Sequence, residues 1–433
     1  MTRRPYDTDR YLAPTTQFYF CALPLRLDTY ASCSFGCSYC FAAARGGARP
    51  SMRGQFPPES LRRRLARIER SGSVASVVDE FMLHRQPIHL GGMSDPFPPQ
   101  ERTEGVSLAV LRILAQHGYP TVVSTKGTLF SHPEYLDVLV SGNFLVQVSF
   151  STLDDSFAGR IERGTPSPRQ RLDALATAAA SGVRVSMRHQ PVLPGRERDI
   201  VAGVVAAANA GCRHYGVEFL KVAVERSSQR RLGTEADLVL GAAGVRREGR
   251  EWVLPLERRL PWVLEARSTA HAVGLTFGAA DNDLLPLSDG NACCSGADLC
   301  LPEPGSPYRH NYLEAVRRAA GGIVRRESVH SEWVPKRTLA RFVNSRSRLG
   351  TNRGASMVDY IDRNWNGRAN GPSPGMFAGV RATDEMDNRG FRLYELDAWL
   401  LAVLHERGTA SQVEAGAVHS GAVADSTVPR TQR

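Results

Sequence analysis

Between residues 18 and 277 two hydrophobic periods take turns along the chain. Short apolar or alternating runs at 18–27, 87–91, 121–125, 144–150, 183–189, 215–220 and 275–277 read as strands. Between them, 106–117, 168–181, 199–210 and 260–272 carry apolar residues at helical spacing, and Gly182 closes the second of these. Strands that alternate with helices predict right-handed βαβ units and a parallel sheet. The fold class is therefore α/β, with 17–290 forming a partial parallel barrel. A polar, Arg-rich stretch at 223–256 reads as an insertion. Beyond 305 the alternation stops. Helical patterns at 312–319, 333–342 and 395–404, with a mixed stretch at 386–394, predict a mostly helical C-terminal extension over 306–404. Residues 1–16 read as a loose lead-in. Residues 405–433 have few large apolar groups and read as a disordered tail.

Composition narrows the setting. No run of 18 apolar residues exists, so no membrane span or membrane partner is expected. The N-terminus leads into no apolar signal segment, which points to the cytoplasm. The formal net charge is +10. That suits an anionic substrate, although an arginine-rich solvated surface accounts for it more simply. Only three lysines occur, Lys126, Lys221 and Lys336. Lys126 and Lys221 fall at C-terminal ends of predicted strands, the face of a parallel barrel that carries its site. Of eight cysteines, three lie at 33–40 and three at 293–300, while Cys21 and Cys212 stand alone and read as small buried apolar residues.

Cys33, Cys37 and Cys40 form a C-x3-C-x2-C run. Iron–sulfur clusters normally take four protein ligands, so three thiolates leave one iron open to an amine and a carboxylate. Zinc prefers two spaced pairs, and no matching pair lies nearby. Gly36 lets the loop bend tightly, and Tyr39 can stack on a planar ring.

This loop after the first strand resembles that of the radical S-adenosylmethionine (SAM) superfamily. Gly91-Gly92-Met93-Ser94-Asp95-Pro96-Phe97-Pro98-Pro99-Gln100-Glu101 resembles a stretch of its spore photoproduct lyase-like group, as do Ser124-Thr125-Lys126-Gly127, 148–151, 161–167 and 191–195. The resemblance covers roughly 17–225. It implies a [4Fe–4S] cluster on Cys33, Cys37 and Cys40, reductive cleavage of SAM, and a 5′-deoxyadenosyl radical that takes hydrogen from substrate. It implies SAM contacts at Tyr39, Gly91, Gly92, Lys126, Ser149 and Ser151. It also implies an external electron donor such as ferredoxin or flavodoxin. The lyase itself carries a hydrogen-donor cysteine where this chain has Gly92 or Met93, so thymine-dimer repair does not carry over.

Cys293, Cys294 and Cys300 sit in a Gly-, Asp- and Asn-rich loop. Read as metal ligands, they suggest an auxiliary iron–sulfur cluster, with zinc (using His271 or His310) or a redox thiol pair as rivals. Such a cluster can bind substrate, relay an electron or surrender sulfide. Sulfur insertion into a small polar, nucleoside-like substrate is the specific expectation. Asp95, Glu101 and Lys221 are the candidate substrate groups, and Glu218 can pair with Lys221. Glu162 reads as a partner of the SAM ribose or of Arg171, and His89 and His189 as core histidines. The alternatives are repair or modification of a nucleic-acid base, suggested by the basic 309–368 region, and a non-enzymatic metal or redox module.

Overall fold

The computed structural model describes residues 9–15, 17–44, 54–290, 294–303, 308–339, 342, 355–367 and 372–406. The strands of the main sheet run β1 (Leu12–Pro14), β2 (Leu25–Leu27), β3 (Ile88–Leu90), β4 (Thr121–Thr125), β5 (Phe144–Phe150), β6 (Arg184–Val192) and β7 (His214–Phe219). After β7 come β8 (Val222–Ala223), β9 (Arg246–Glu248) and β10 (Glu251–Val253), which form a small separate sheet, and then β11 (Thr276–Ala279). The main sheet has the order β1-β2-β3-β4-β5-β6-β7-β11. β1 is antiparallel to β2, and all the other neighbours are parallel. Among the described residues no pairing joins β1 to β11, so the barrel is open, as expected from the sequence.

Two faces explain the sheet. Side chains alternate along a strand. On one face Val146, Val148, Val185, Met187, Tyr215, Val217 and Phe277 are fully buried. They share a core with Val110, Leu111 and Leu114 of helix Val106–Gln116, Leu175 of helix Pro168–Ala180, Val204 of helix Asp199–Asn209 and Val263 of helix Leu256–Ala272. Helix Pro168–Ala180 begins where the chain dictates. Ser167 caps it in a reciprocal capping box with Gln170, and Pro168 fits the first turn, where a missing N–H costs nothing. The other face turns into the barrel and is polar.

The lead-in differs from expectation. Leu12–Pro14 is a strand paired on β2, and only 25–27 of the 18–27 stretch is extended. Phe18, Tyr19 and Phe20 instead form a buried turn, with Tyr19 O accepting from Tyr312 N at 2.8 Å. The extension is mixed rather than mostly helical. β12 (Ile323–Val324), β13 (Val380–Met386) and β14 (Arg392–Leu396) form a sheet beside helices Tyr312–Arg317, Met357–Trp365 and 398–406. Residues 333–339 are irregular, because Pro335 cannot donate a helical hydrogen bond. The 386–394 stretch spans a hairpin, whose turn Asp387 stabilises by accepting from Arg389 N (2.8 Å) and Phe391 N (2.9 Å). The tail expected to be disordered lies outside the described residues beyond 406. Among the described residues no helix is long and apolar enough to cross a membrane.

Glu101, a candidate substrate group from the sequence, serves the fold instead. It is buried, and its carboxylate accepts from Tyr30 Oη, Tyr135 Oη (2.8 Å), Ser107 N (2.9 Å) and Leu108 N (2.9 Å). It thus satisfies the first turn of helix Val106–Gln116 and has no coordination left for a substrate. Glu101→Ala should lower the unfolding free energy by about 3 kcal/mol, since several buried donors lose their acceptor. The exposed Glu104→Ala should change it by less than about 0.5 kcal/mol in the same urea titration.

Candidate active site

The 33–40 loop lies beyond the C-terminal end of β2 and is fastened to the segment after β5. Ser38 N donates to Ile161 O (2.8 Å) and Gly164 N to Phe35 O (2.9 Å). A Cβ on Gly164 would stand 2.9 Å from Phe35 O, so only glycine lets the two segments meet. Gly36 turns the loop at φ +63°. The Cys33 sulfur receives backbone N–H groups from Phe35 and Asp95, and Cys37 lies in the field of Lys126. Burial, together with neighbouring negative charge, pushes both thiols up to about 12. They ionise only if a cation compensates them. Among the described residues no three Cys, His, Asp or Glu side chains are already drawn together as a metal site. The donor set still fits an iron–sulfur cluster. It consists of three thiols of one short loop, close enough that Cys37 lies in the field of both others, with backbone donors on the Cys33 sulfur.

Beside the loop stands a buried charge cluster. Glu162 accepts from Tyr39 Oη, from Ser151 Oγ at 2.8 Å and from the Arg171 guanidinium. Lys126 Nζ lies 3.9 Å from Glu162 and 5.6 Å from the Tyr39 ring centroid. Arg171 is fully buried and also donates to Ser149 O (2.6 Å). Burial alone would raise Glu162, but Arg171 and Lys126 outweigh it and hold the carboxyl below its ordinary range. Tyr39 is pushed up by burial and by Glu162, so it stays a neutral donor. The structure therefore brings together Tyr39, Lys126, Ser149 and Ser151, four of the six residues expected to hold SAM. Gly91 and Gly92 lie at the end of β3. A Cβ on Gly91 would meet Ser124 O at 2.3 Å, and one on Gly92 the Arg26 side chain at 2.8 Å. Asp95 accepts from Thr125 Oγ1 (2.7 Å), Lys126 N (2.6 Å) and Phe97 N (2.9 Å). It ties β3 to β4 and sets Lys126 in place.

Below this cluster the polar side chains of the inner face of the sheet pair with one another. His89 Nε2 meets Ser124 Oγ at 2.8 Å, Gln147 meets Ser186 at 3.3 Å, and Arg188 donates to Glu218 at 2.7 Å. Burial, with Arg188 and Arg26 adding to it, pushes His89 down to about 4, so it is neutral near pH 7. Glu218 also accepts from Gln190 and from Lys221 Nζ (2.6 Å). Burial pushes Asp281, 3.7 Å from Lys221, up to about 6. A cavity joins Tyr39, Cys40 and Phe41 to Lys221 and to Ser228 and Glu251 of the insertion. The insertion, folded as two short helices and the β8-β10-β9 sheet, thus walls the mouth.

The second cysteine loop goes elsewhere. Cys300 is buried with Ala22, Leu23, Val122, Leu145, Ala297 and Leu301. It also meets the side chain of Thr276, at the start of β11. These are N-terminal strand ends, opposite the 33–40 loop. Cys293 lies outside the described residues. His271 pairs with Asp289 at 2.7 Å, and His310 is buried within the extension.

Residues 28–205 match the family model "Radical SAM superfamily". This segment is a radical SAM domain. It contains the 33–40 loop, Lys126, Ser149, Ser151 and Glu162, and it ends before Glu218 and Lys221. Uncharacterized proteins of Mycobacterium tuberculosis and Mycobacterium bovis are 29% identical to the chain over 203 residues, 44% of this chain and 57% of theirs. The chain thus spans little more than half the length of these relatives. Among solved structures, spore photoproduct lyase complexed with dinucleoside spore photoproduct is 16% identical, covering 58% of this chain and 73% of its own, at a TM-score of 0.44. The Streptococcus suis protein SuiB bound to S-adenosylmethionine is 14% identical, covering 47% and 41%, at 0.35.

Sequence reasoning assigned His89 to the core and gave Arg26, Arg188 and Gln190 no role. The alternation of Arg184, Ser186, Arg188 and Gln190 along one strand was the available signal for an inward polar face. The Glu162 cluster of the radical SAM domain yields a pH prediction. A carboxyl held low when folded contributes stability that is complete above its ordinary value of 4.5 and is lost as pH falls through the lower folded value. Glu162→Gln should destabilise by about 3 kcal/mol near neutrality, because Arg171 is left buried and uncompensated. The gap between wild type and variant in urea titrations should shrink as pH drops from about 5 to about 3.

Proposed function

We propose that the chain is a radical SAM enzyme acting on a small polar substrate held inside the barrel. The observation that carries this reading is the polar inner face, which lies directly below the Tyr39–Lys126–Glu162 cluster and opens beside Cys40. A [4Fe–4S] cluster on Cys33, Cys37 and Cys40 would supply the electron that cleaves SAM to a 5′-deoxyadenosyl radical. The chain's own residues do the rest. Lys126 offers an ammonium to a carboxylate at the mouth, where Arg171 and Glu162 fix its position. Tyr39 presents its ring beside the thiols. Arg188, Gln190, Glu218 and Lys221 present donors and acceptors to a substrate on the inner face. The insertion covers the mouth and limits the water that would quench a radical. An external reductant, ferredoxin- or flavodoxin-like, is required.

Sulfur insertion needs a sulfide-bearing centre within reach of the substrate radical. Cys294 and Cys300 stand at the other end of the barrel, so the geometry favours hydrogen abstraction without sulfur transfer. A small molecule is preferred to a nucleic acid, because the polar groups that would meet the substrate line the inner face of the barrel.

The test is SAM turnover by anaerobically iron-loaded protein under dithionite. Wild type should release 5′-deoxyadenosine. Cys37→Ala should fall to the background, and Lys126→Ala should lose about tenfold at subsaturating SAM, as expected for one lost charge-assisted contact. No product from iron-loaded wild type, or equal product from Cys37→Ala, would rule the reading out.

A further inference from the structure

The 33–40 loop is open on its outer side, where Ser34 and Gly36 are exposed. The segment that latches this loop carries a row of cations. Phe157, Arg160 and Arg163 follow one another at three-residue spacing, which sets them on one side of helix Asp155–Ile161 and the turn after it. Arg160 lies over the Phe157 ring, 4.8 Å from its centroid, and Arg196, from the loop after β6, reaches the same ring at 3.8 Å. Arg163 folds back so that its Nε donates to Arg160 O at 3.3 Å. The next residue, Gly164, touches the cysteine loop: a Cβ there would stand 3.0 Å from Ser34 O. The row thus runs from Arg196 to within one residue of the backbone between Cys33 and Cys37.

This row is short of negative charge. Arg196 has Asp154 at 3.4 Å and Asp199 at 3.5 Å. Arg160 and Arg163 are exposed, and among the described residues neither has a carboxylate partner. Beside them a groove runs between the loops after β5 and β6 and helix Thr234–Leu240 of the insertion. Phe157, Leu193 and Leu238 give it an apolar lining, and Glu235 is the one carboxylate among its lining residues. Leu238 is 49% exposed, so the groove ends on an uncovered apolar surface. An apolar centre with arginines at its rim is the make-up of a protein interface. Two unpaired guanidiniums call for carboxylates from the partner.

We infer that this surface docks an acidic protein that delivers one electron. Given the radical chemistry proposed above, on which this inference rests, an electron must reach the 33–40 loop from outside the chain, and the insertion walls the mouth. The latch offers the other route, because a carrier seated on Arg160 and Arg163 lies against the exposed backbone of Ser34 and Gly36. At this contact the reduced carrier loses one electron and the cluster held by the three thiolates gains it, with no bond made or broken. Unpaired arginines also steer an acidic partner from a distance, which suits an encounter that must dissociate after each transfer. Nucleic acid also seeks guanidiniums, but two cations beside an apolar groove match a continuous phosphate backbone less well than they match an acidic protein.

The test uses the iron-loaded protein, with an acidic flavodoxin as the probe. Calorimetric titration with oxidised flavodoxin at low ionic strength measures binding. Release of 5′-deoxyadenosine is followed separately, driven by reduced flavodoxin or by excess dithionite. Arg160→Glu/Arg163→Glu should weaken binding by about tenfold, and the gap from wild type should close at high salt. Flavodoxin-driven release should fall with it, while dithionite-driven release stays near the wild-type rate, which also shows that the variant folds. Arg63→Glu/Arg112→Glu makes the same change of charge at exposed positions of helices Pro58–Ser71 and Val106–Gln116, and should bind as wild type does. No binding by wild type, equal binding by all three proteins, or equal losses in both variants overturns the inference. So does tighter binding of a short single-stranded DNA than of flavodoxin through the same two arginines. If wild type yields no product even with dithionite, the radical SAM reading fails, and the binding comparison still decides the surface.

Discussion

One buried carboxylate holds the mouth of this barrel together. Glu162 is reached by Tyr39 from the cysteine loop, by Ser151 from just beyond β5, by Arg171 from a helix behind the sheet and, at longer range, by Lys126 from the end of β4. An ion inside a protein is costly unless charge and hydrogen bonds surround it. Glu162 meets that demand by drawing together the cysteine loop, the ends of β4 and β5 and the helix behind them. The position of the thiols relative to Lys126 therefore follows from satisfying one desolvated charge.

The same logic divides the sheet. Large apolar side chains on the outer face of β5, β6 and β7 bury against four helices and supply the driving force for folding. That leaves the inner face free to be polar, provided its groups satisfy one another, and Arg188, Gln190, Glu218 and Lys221 do so around a single carboxylate. A ligand meeting these groups exchanges existing hydrogen bonds for new ones, which favours polar substrates over apolar ones.

The sequence revealed the regular parts well, because hydrophobic periodicity is local. β4 and β5 fall on the residues expected, and the long helices agree to within a few residues. Cys33, Cys37 and Cys40 were legible because their spacing is itself the chemical signal. What was not legible depends on long-range placement. Cys21 reads as a solitary cysteine, and only the fold packs it against the apolar cluster that contains Cys300. Glu101 reads as a polar group at a strand end, and only the fold shows Tyr30 and Tyr135 closing over it. The extension misled because Pro335 and the Asp387 turn outweigh the helical spacing around them.

The central claim is that three thiolates leave one iron of the mouth cluster open to SAM. Pulsed electron paramagnetic resonance of the reduced, iron-loaded protein with SAM labelled at its carboxylate with oxygen-17 tests this directly. The account predicts a hyperfine coupling between the cluster and the labelled oxygen. An intact, reduced cluster that shows no coupling to bound SAM would contradict it.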